Sequence, residues 1–188
     1  MKKILLFTFV FLAIQPFSFS QKEKPKYTSI NQVGVAWGGS DQDLHLQTVN
    51  GIFYKTFTAG LGVALDYYYH RTIPVFIDLR KDLFARTQTP FVYADLGVNM
   101  PWIKKSSELT WQKSEYDHGS YFDVGFGYKV KVYKKFFANL GFGYSQKTIK
   151  EKRRWLARPF DILPNDESGY ENYRYALRRF SVKAGLSF

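Results

Sequence analysis

Residues 175–188 read YALRRFSVKAGLSF. Ala176, Arg178, Phe180, Val182, Ala184, Leu186 and Phe188 form one mostly apolar row, while Arg179, Ser181, Lys183, Gly185 and Ser187 form the other. A period of two is that of an extended strand with two different faces. Such a strand can turn its apolar row to hydrocarbon only if a closed barrel gives the charged row an interior.

The same pattern recurs upstream at 27–37, 43–54, 57–69, 73–84, 91–102, 121–133 and 136–147, which makes eight strands with 173–188. In 57–69, Phe57, Ala59, Leu61, Val63, Leu65, Tyr67 and Tyr69 oppose Thr58, Gly60, Gly62, Ala64, Asp66 and Tyr68. In 121–133, Phe122, Val124, Phe126, Tyr128, Val130 and Val132 oppose Asp123, Gly125, Gly127, Lys129 and Lys131. The facing of 43–54 stays open around Val49-Asn50-Gly51. Most segments reach the roughly 9–11 residues that a tilted membrane strand needs. Their links alternate: 55–56, 86–89 and 134–135 are tight, whereas 103–120 and 149–172 are long, and 38–42 and 70–72 are short but fall in the phase of the long ones. With an even strand number, the tight links share one end with both termini, the asymmetry of membrane barrels. A soluble lipocalin-like barrel would put its apolar face inside. Here glycines accompany the charged rows and are missing from the aliphatic ones, so the apolar face is expected to be the outer one.

The amino terminus has the form of a secretory signal. Lys2 and Lys3 precede an apolar run from Ile4 to Ile14, and Ser18-Phe19-Ser20 gives a small-x-small site. That run is too short to span a bilayer. Residues 1–20 are expected to be cleaved and 21–188 to form one domain. There is no cysteine, hence no disulfide framework. Aromatic residues make up 19% of the chain, and Tyr and Trp favour membrane–water interfaces. The net charge is +11, or +9 once Lys2 and Lys3 have left. In an exported chain this excess points to lipid phosphates rather than to nucleic acid.

Segments FTAGLGVALDYYY (57–69), IPVFIDLR (73–80) and PFVYADLG (90–97), the GFG-Y repeats at 125–128 and 141–144, and the terminal Phe188 together resemble the outer-membrane protein β-barrel domain family, the small porin-like barrels of Gram-negative envelopes. The resemblance covers nearly all of 21–188. It implies an all-β, eight-stranded, antiparallel up-and-down transmembrane barrel in the outer membrane, with Phe188 as the signal read by the barrel-assembly machinery. It implies no substrate.

An eight-stranded barrel is just wide enough for side chains to fill it. Arg80, Lys129, Arg179 and Lys183 are expected to interlock inside with Asp66, Asp78, Asp95 and Asp123, around inward glycines that make room for them. If the turn after 73–84 centres between Thr87 and Gln88, Arg80 falls opposite Asp95 and pairs with it. The role expected is structural or interactive, with 103–120 and 149–172 displayed outside to a protein partner. The alternative is a narrow channel for ions or small solutes, its charges acting as a selectivity ring. A lipid hydrolase stands third: His118-Gly119-Ser120 has the spacing of a His-x-Ser pair, with Glu115 or Asp117 as loose candidates to orient the imidazole. No catalytic, metal or cofactor set is assigned. Arg153, Arg154 and Arg158, beside Trp155, could form a collar for the phosphates of lipopolysaccharide.

Overall fold

The computed structural model describes residues 24–39, 41–102, 112–155 and 170–188. Among these lie nine strand segments and no helix: β1 (Lys26–Gly38), β2 (Asp41–Tyr54), β3 (Phe57–Asp66), β4 (Thr72–Asp82), β5 (Gln88–Pro101), β6 (Gln112–Asp117), β7 (Gly119–Tyr133), β8 (Phe136–Trp155) and β9 (Tyr170–Ser187). Pairing runs β1-β2-β3-β4-β5-β7-β8-β9, antiparallel throughout, and β9 returns to β1. β6 continues the line of β7 along β8, separated from it by His118. The ring therefore has eight positions and is the up-and-down barrel that the alternation predicts. Phe188 completes the seam, its backbone N–H donating to the Ser29 carbonyl at 3.1 Å and its carbonyl accepting from the Ser29 N–H at 3.0 Å.

The sidedness follows the sequence rows. Leu61, Phe126 and Leu140 are 68, 62 and 59% exposed on the outer wall, whereas Asp66, Asp78 and Asp95 are 0% exposed inside. β2 also becomes readable: Leu44, Leu46, Thr48, Asn50, Ile52 and Tyr54 lie on the outer row, with His45, Gln47, Val49 and Phe53 inward. Its facing was open because two polar residues stand on the outer wall and two apolar ones inside. The outer polar groups are matched, Thr48 donating to Asn31 at 2.8 Å and Tyr27 to Asn50 at 2.6 Å. A polar group facing hydrocarbon is costly without such a partner.

Three expectations are corrected. The long connections are shorter than 103–120 and 149–172, because β8 runs on to Trp155, β9 starts at Tyr170 and β6 occupies Gln112–Asp117. Beyond Lys147, charged residues at 150–154 fall on both sides of β8 and hide the strand from an apolar reading. β3 stops at Asp66 rather than running to 69, since the Asp66 carboxylate accepts the Tyr68 N–H at 3.0 Å and Tyr69 turns to a positive φ of 62°. The third concerns the β4–β5 turn. Asp82 pairs with Phe91, so the turn pivots between Arg86 and Thr87, one residue earlier than expected. Every partner thereby shifts by two: Arg80 sits opposite Tyr93, and Asp78 opposite Asp95.

Candidate functional site

The lumen holds two layers of charge. In the upper layer, towards the long connections, Asp66 on β3 receives Arg179 from β9 across the interior. The Arg179 Nη1 donates at 2.6 Å, and the Lys147 Nζ of β8 lies 3.2 Å from the same carboxylate. Lys147 also donates to the His70 carbonyl at 3.0 Å, and Arg179 to the Ser145 hydroxyl at 3.2 Å. One acid thus anchors two cations, and all three side chains are sealed from solvent.

The lower layer has the reverse balance. Asp78, Asp95 and Asp123 are register partners on β4, β5 and β7, so three inward carboxylates stand side by side. Two cations serve them. Arg80 Nε donates to Asp78 at 2.8 and 3.0 Å, while Lys183 donates to Asp123 at 2.8 Å and stays 3.9 Å from Asp95. Tyr93 and Tyr121 complete Asp123, their hydroxyls donating at 3.0 and 3.3 Å. Gln32 and Gln47 tie the layer to β1 and β2, accepting from Arg80 at 3.1 Å and from Lys183 at 3.0 Å. Both oxygens of Asp95 are buried without a hydrogen-bond donor. Below this layer Lys129 is ion-paired with Asp82.

Gly62, Gly125, Gly127 and Gly143 make room for aromatic rings, while Gly60 and Gly185 lie against Val49 and Gln32. A Cβ on Gly62 would collide with the Phe76 ring, and one on Gly143 would meet the Tyr93 hydroxyl and the Asp123 carboxylate. Strand spacing alone cannot admit those rings, so close approach demands glycine there.

No protein-family model and no curated protein sequence matches the chain. Solved structures do. The N-terminal β-barrel domain of Pseudomonas aeruginosa OprF aligns over 88% of this chain and 100% of that one, at 11% identity and a TM-score of 0.51. Outer membrane protein AlkL, solved in DMPC bilayers, aligns over 93% and 94% at 11% identity and 0.54. The outer membrane protein OprG of Pseudomonas aeruginosa aligns over 86% and 94% at 7% identity and 0.53. The chain has the outer-membrane β-barrel fold.

The upper mouth of this barrel carries an aromatic cluster that the alternation did not reveal. His70 meets Tyr69 at 4.6 Å and Tyr116 at 5.4 Å, and Tyr69 meets Tyr175 at 5.9 Å. Tyr175 donates to Glu151 at 2.9 Å, and Arg153 pairs with Glu151 at 3.2 Å while its guanidinium lies 4.8 Å from the Tyr173 ring centre. These groups stand above the rim set by Asp66 and Thr72. Burial pushes the Glu151 carboxyl up, but hydrogen bonds from Ser114, Tyr175 and Arg153 outweigh it and hold the group below its ordinary 4.5. The Tyr175 hydroxyl, donating to that carboxylate, is pushed up to about 12. Burial and the charge of Lys147 hold His70 below its ordinary 6.5.

Among the residues singled out from sequence, Asp66, Asp78, Arg80, Asp95, Asp123, Arg179 and Lys183 gather buried in the barrel, with Lys129 partly exposed lower down. Lys147 is not among the residues singled out from sequence, yet it lies in the lumen. Its odd position on the row of Asn139, Gly141, Gly143 and Ser145 was the available signal. Arg153 is paired with Glu151, whereas the Arg154 side chain and Arg158 fall outside the described residues. The 118–120 segment bonds elsewhere. The Asp117 carboxylate accepts the His118 backbone N–H at 2.8 Å, and the Ser120 hydroxyl meets that of Thr148 at 3.1 Å. Residues 1–20 likewise lie outside the described residues.

Proposed function

We propose that the chain is an outer-membrane barrel of structural and interaction type, exported by residues 1–20, with a filled rather than conducting lumen. Its tight-turn end faces the periplasm, and the extended β6, β8 and β9 ends face outwards towards a partner protein. The observation that carries this reading is the set of bonds crossing the interior, above all Arg179 to Asp66 and Lys183 to Asp123 and Gln47. Those side chains come from strands two or three positions apart around the ring, so an ion passing through would have to part buried charges from their partners. Breaking such a pair from one side costs about 3–5 kcal/mol. Planar-bilayer recording tests the reading. The purified protein is expected to give no steady conductance, and a large, stable one would favour the narrow channel instead. Membrane fractionation with a heat-modifiability gel tests the location, with a faster-migrating unboiled form expected in the outer-membrane fraction. The basic row of Arg153, Arg154 and Arg158 is proposed as a collar for lipid phosphates, and lipopolysaccharide retained on purification should fall when all three are neutralised.

A further inference from the structure

At the tight-turn end the filled lumen opens into a cavity of about 1340 Å³. Arg80, Phe91, Ile30 and Asn139 line its depth and are nearly inaccessible. Its wall is aromatic, with the Lys129 ammonium 5.1 and 5.3 Å from the ring centres of Phe53 and Phe137. Lys26, Lys55, Arg86, Lys134 and Lys135 surround the mouth. Among the described residues lining the cavity, Asp82 is the one acidic side chain, and Lys129 already holds it, as Asp78 holds Arg80. Five basic side chains therefore line this space with no acidic side chain left in the lining to pair with them.

A concave, partly apolar site with a few convergent polar groups is how proteins take small ligands, in cavities of roughly 300–1,000 Å³. A single-sign rim around low-dielectric walls also concentrates counter-ions. We propose that this vestibule binds an amphiphilic anion, its phosphate or carboxylate head held at the rim by Lys55, Lys134 and Arg86 and its short apolar body lying against Phe53, Phe91 and Phe137. That the site opens to the periplasm rests on the orientation proposed above, whereas binding itself does not.

The test is calorimetric titration of the full chain in phosphatidylcholine nanodiscs, with empty discs as the reference. Octyl phosphate is expected to bind with one site per barrel, and octanol at least tenfold more weakly. Lys55→Asn with Lys134→Asn and Arg86→Gln is expected to weaken octyl phosphate at least tenfold. Asparagine suits the positive φ of 59° and 40° at positions 55 and 134, so both turns should hold. Should that variant not fold, raising salt to about 1 M around the wild-type protein, where charges are screened beyond roughly 3 Å, should give a loss of the same order. Discs doped with phosphatidylglycerol distinguish the source of the head. Competition assigns the site to the bilayer's own anionic lipid, and unchanged binding assigns it to an amphiphile arriving from water. Equal binding of octanol, equal binding of inorganic phosphate, or full affinity in the folded variant would overturn the proposal.

Discussion

Asp66 and Asp95 are both 0% exposed inside the same barrel, yet their surroundings are opposite. Asp66 sits between two cations and also accepts the Tyr68 backbone N–H. Asp95 stands between two other carboxylates, and its nearest cation is Lys183 at 3.9 Å. Burial alone therefore says nothing about what a charged side chain contributes. The upper layer locks β3, β8 and β9 together, because its two cations converge on one carboxylate. The lower layer carries surplus acid, and its cohesion comes from Arg80, Lys183 and the two tyrosine hydroxyls rather than from Asp95.

Asp66→Asn should therefore be the most damaging of the lumen substitutions. It strands Arg179 and Lys147 in the interior, at a cost of about 3–5 kcal/mol, readable as a lower urea midpoint in detergent or an earlier heat-modifiability transition. Gly143→Val sharpens the comparison by crowding Tyr93 and Asp123 apart without removing a charge. Overpacking of this kind should cost about 1–3 kcal/mol, and a wild-type midpoint would show that the ring contact is slack. Asp95→Asn should leave stability within about 1 kcal/mol of wild type, because it relieves the crowding of three carboxylates and leaves Arg80 and Lys183 their shorter bonds to Asp78 and Asp123. If it destabilises as much as Asp66→Asn, the two acids are equivalent and the contrast fails.

The smallest effect is expected above the rim. The Glu151 carboxyl is held below its ordinary 4.5, so its contribution is fully present above that value and fades as the pH falls through the lowered one. Protection factors, which correct for the slower intrinsic exchange in acid, should accordingly fall in the β6 amides while those of β3 and β4 hold. Uniform exchange across both regions at low pH would tie the cap to the barrel and remove the distinction between them.

Most of the wall was legible before any coordinates. Residues 57–65, 91–100 and 176–188 alternate regularly enough to show strands with two unlike faces, and the glycines on the charged rows point the apolar face outward. β2 was not, because Thr48 and Asn50 face out and Val49 and Phe53 face in, which reverses the expected signal at four positions. The ends of β8 and β9 were not legible either, since strands standing in water on both faces need no apolar row. Within the lumen the membership of the charged set was readable from inward parity, but its pairing was not. A turn centred one residue earlier took Asp95 from Arg80 and set it beside Asp78.

Which side chains face in, and how many strands there are, is a local property. It repeats every two residues and is enforced separately in each segment by the lipid outside. Which acid meets which base is a property of the closed ring. Arg179 reaches Asp66 across 113 residues of chain, a meeting fixed only when eight registers and one closure agree, and a single shifted turn rewrites it.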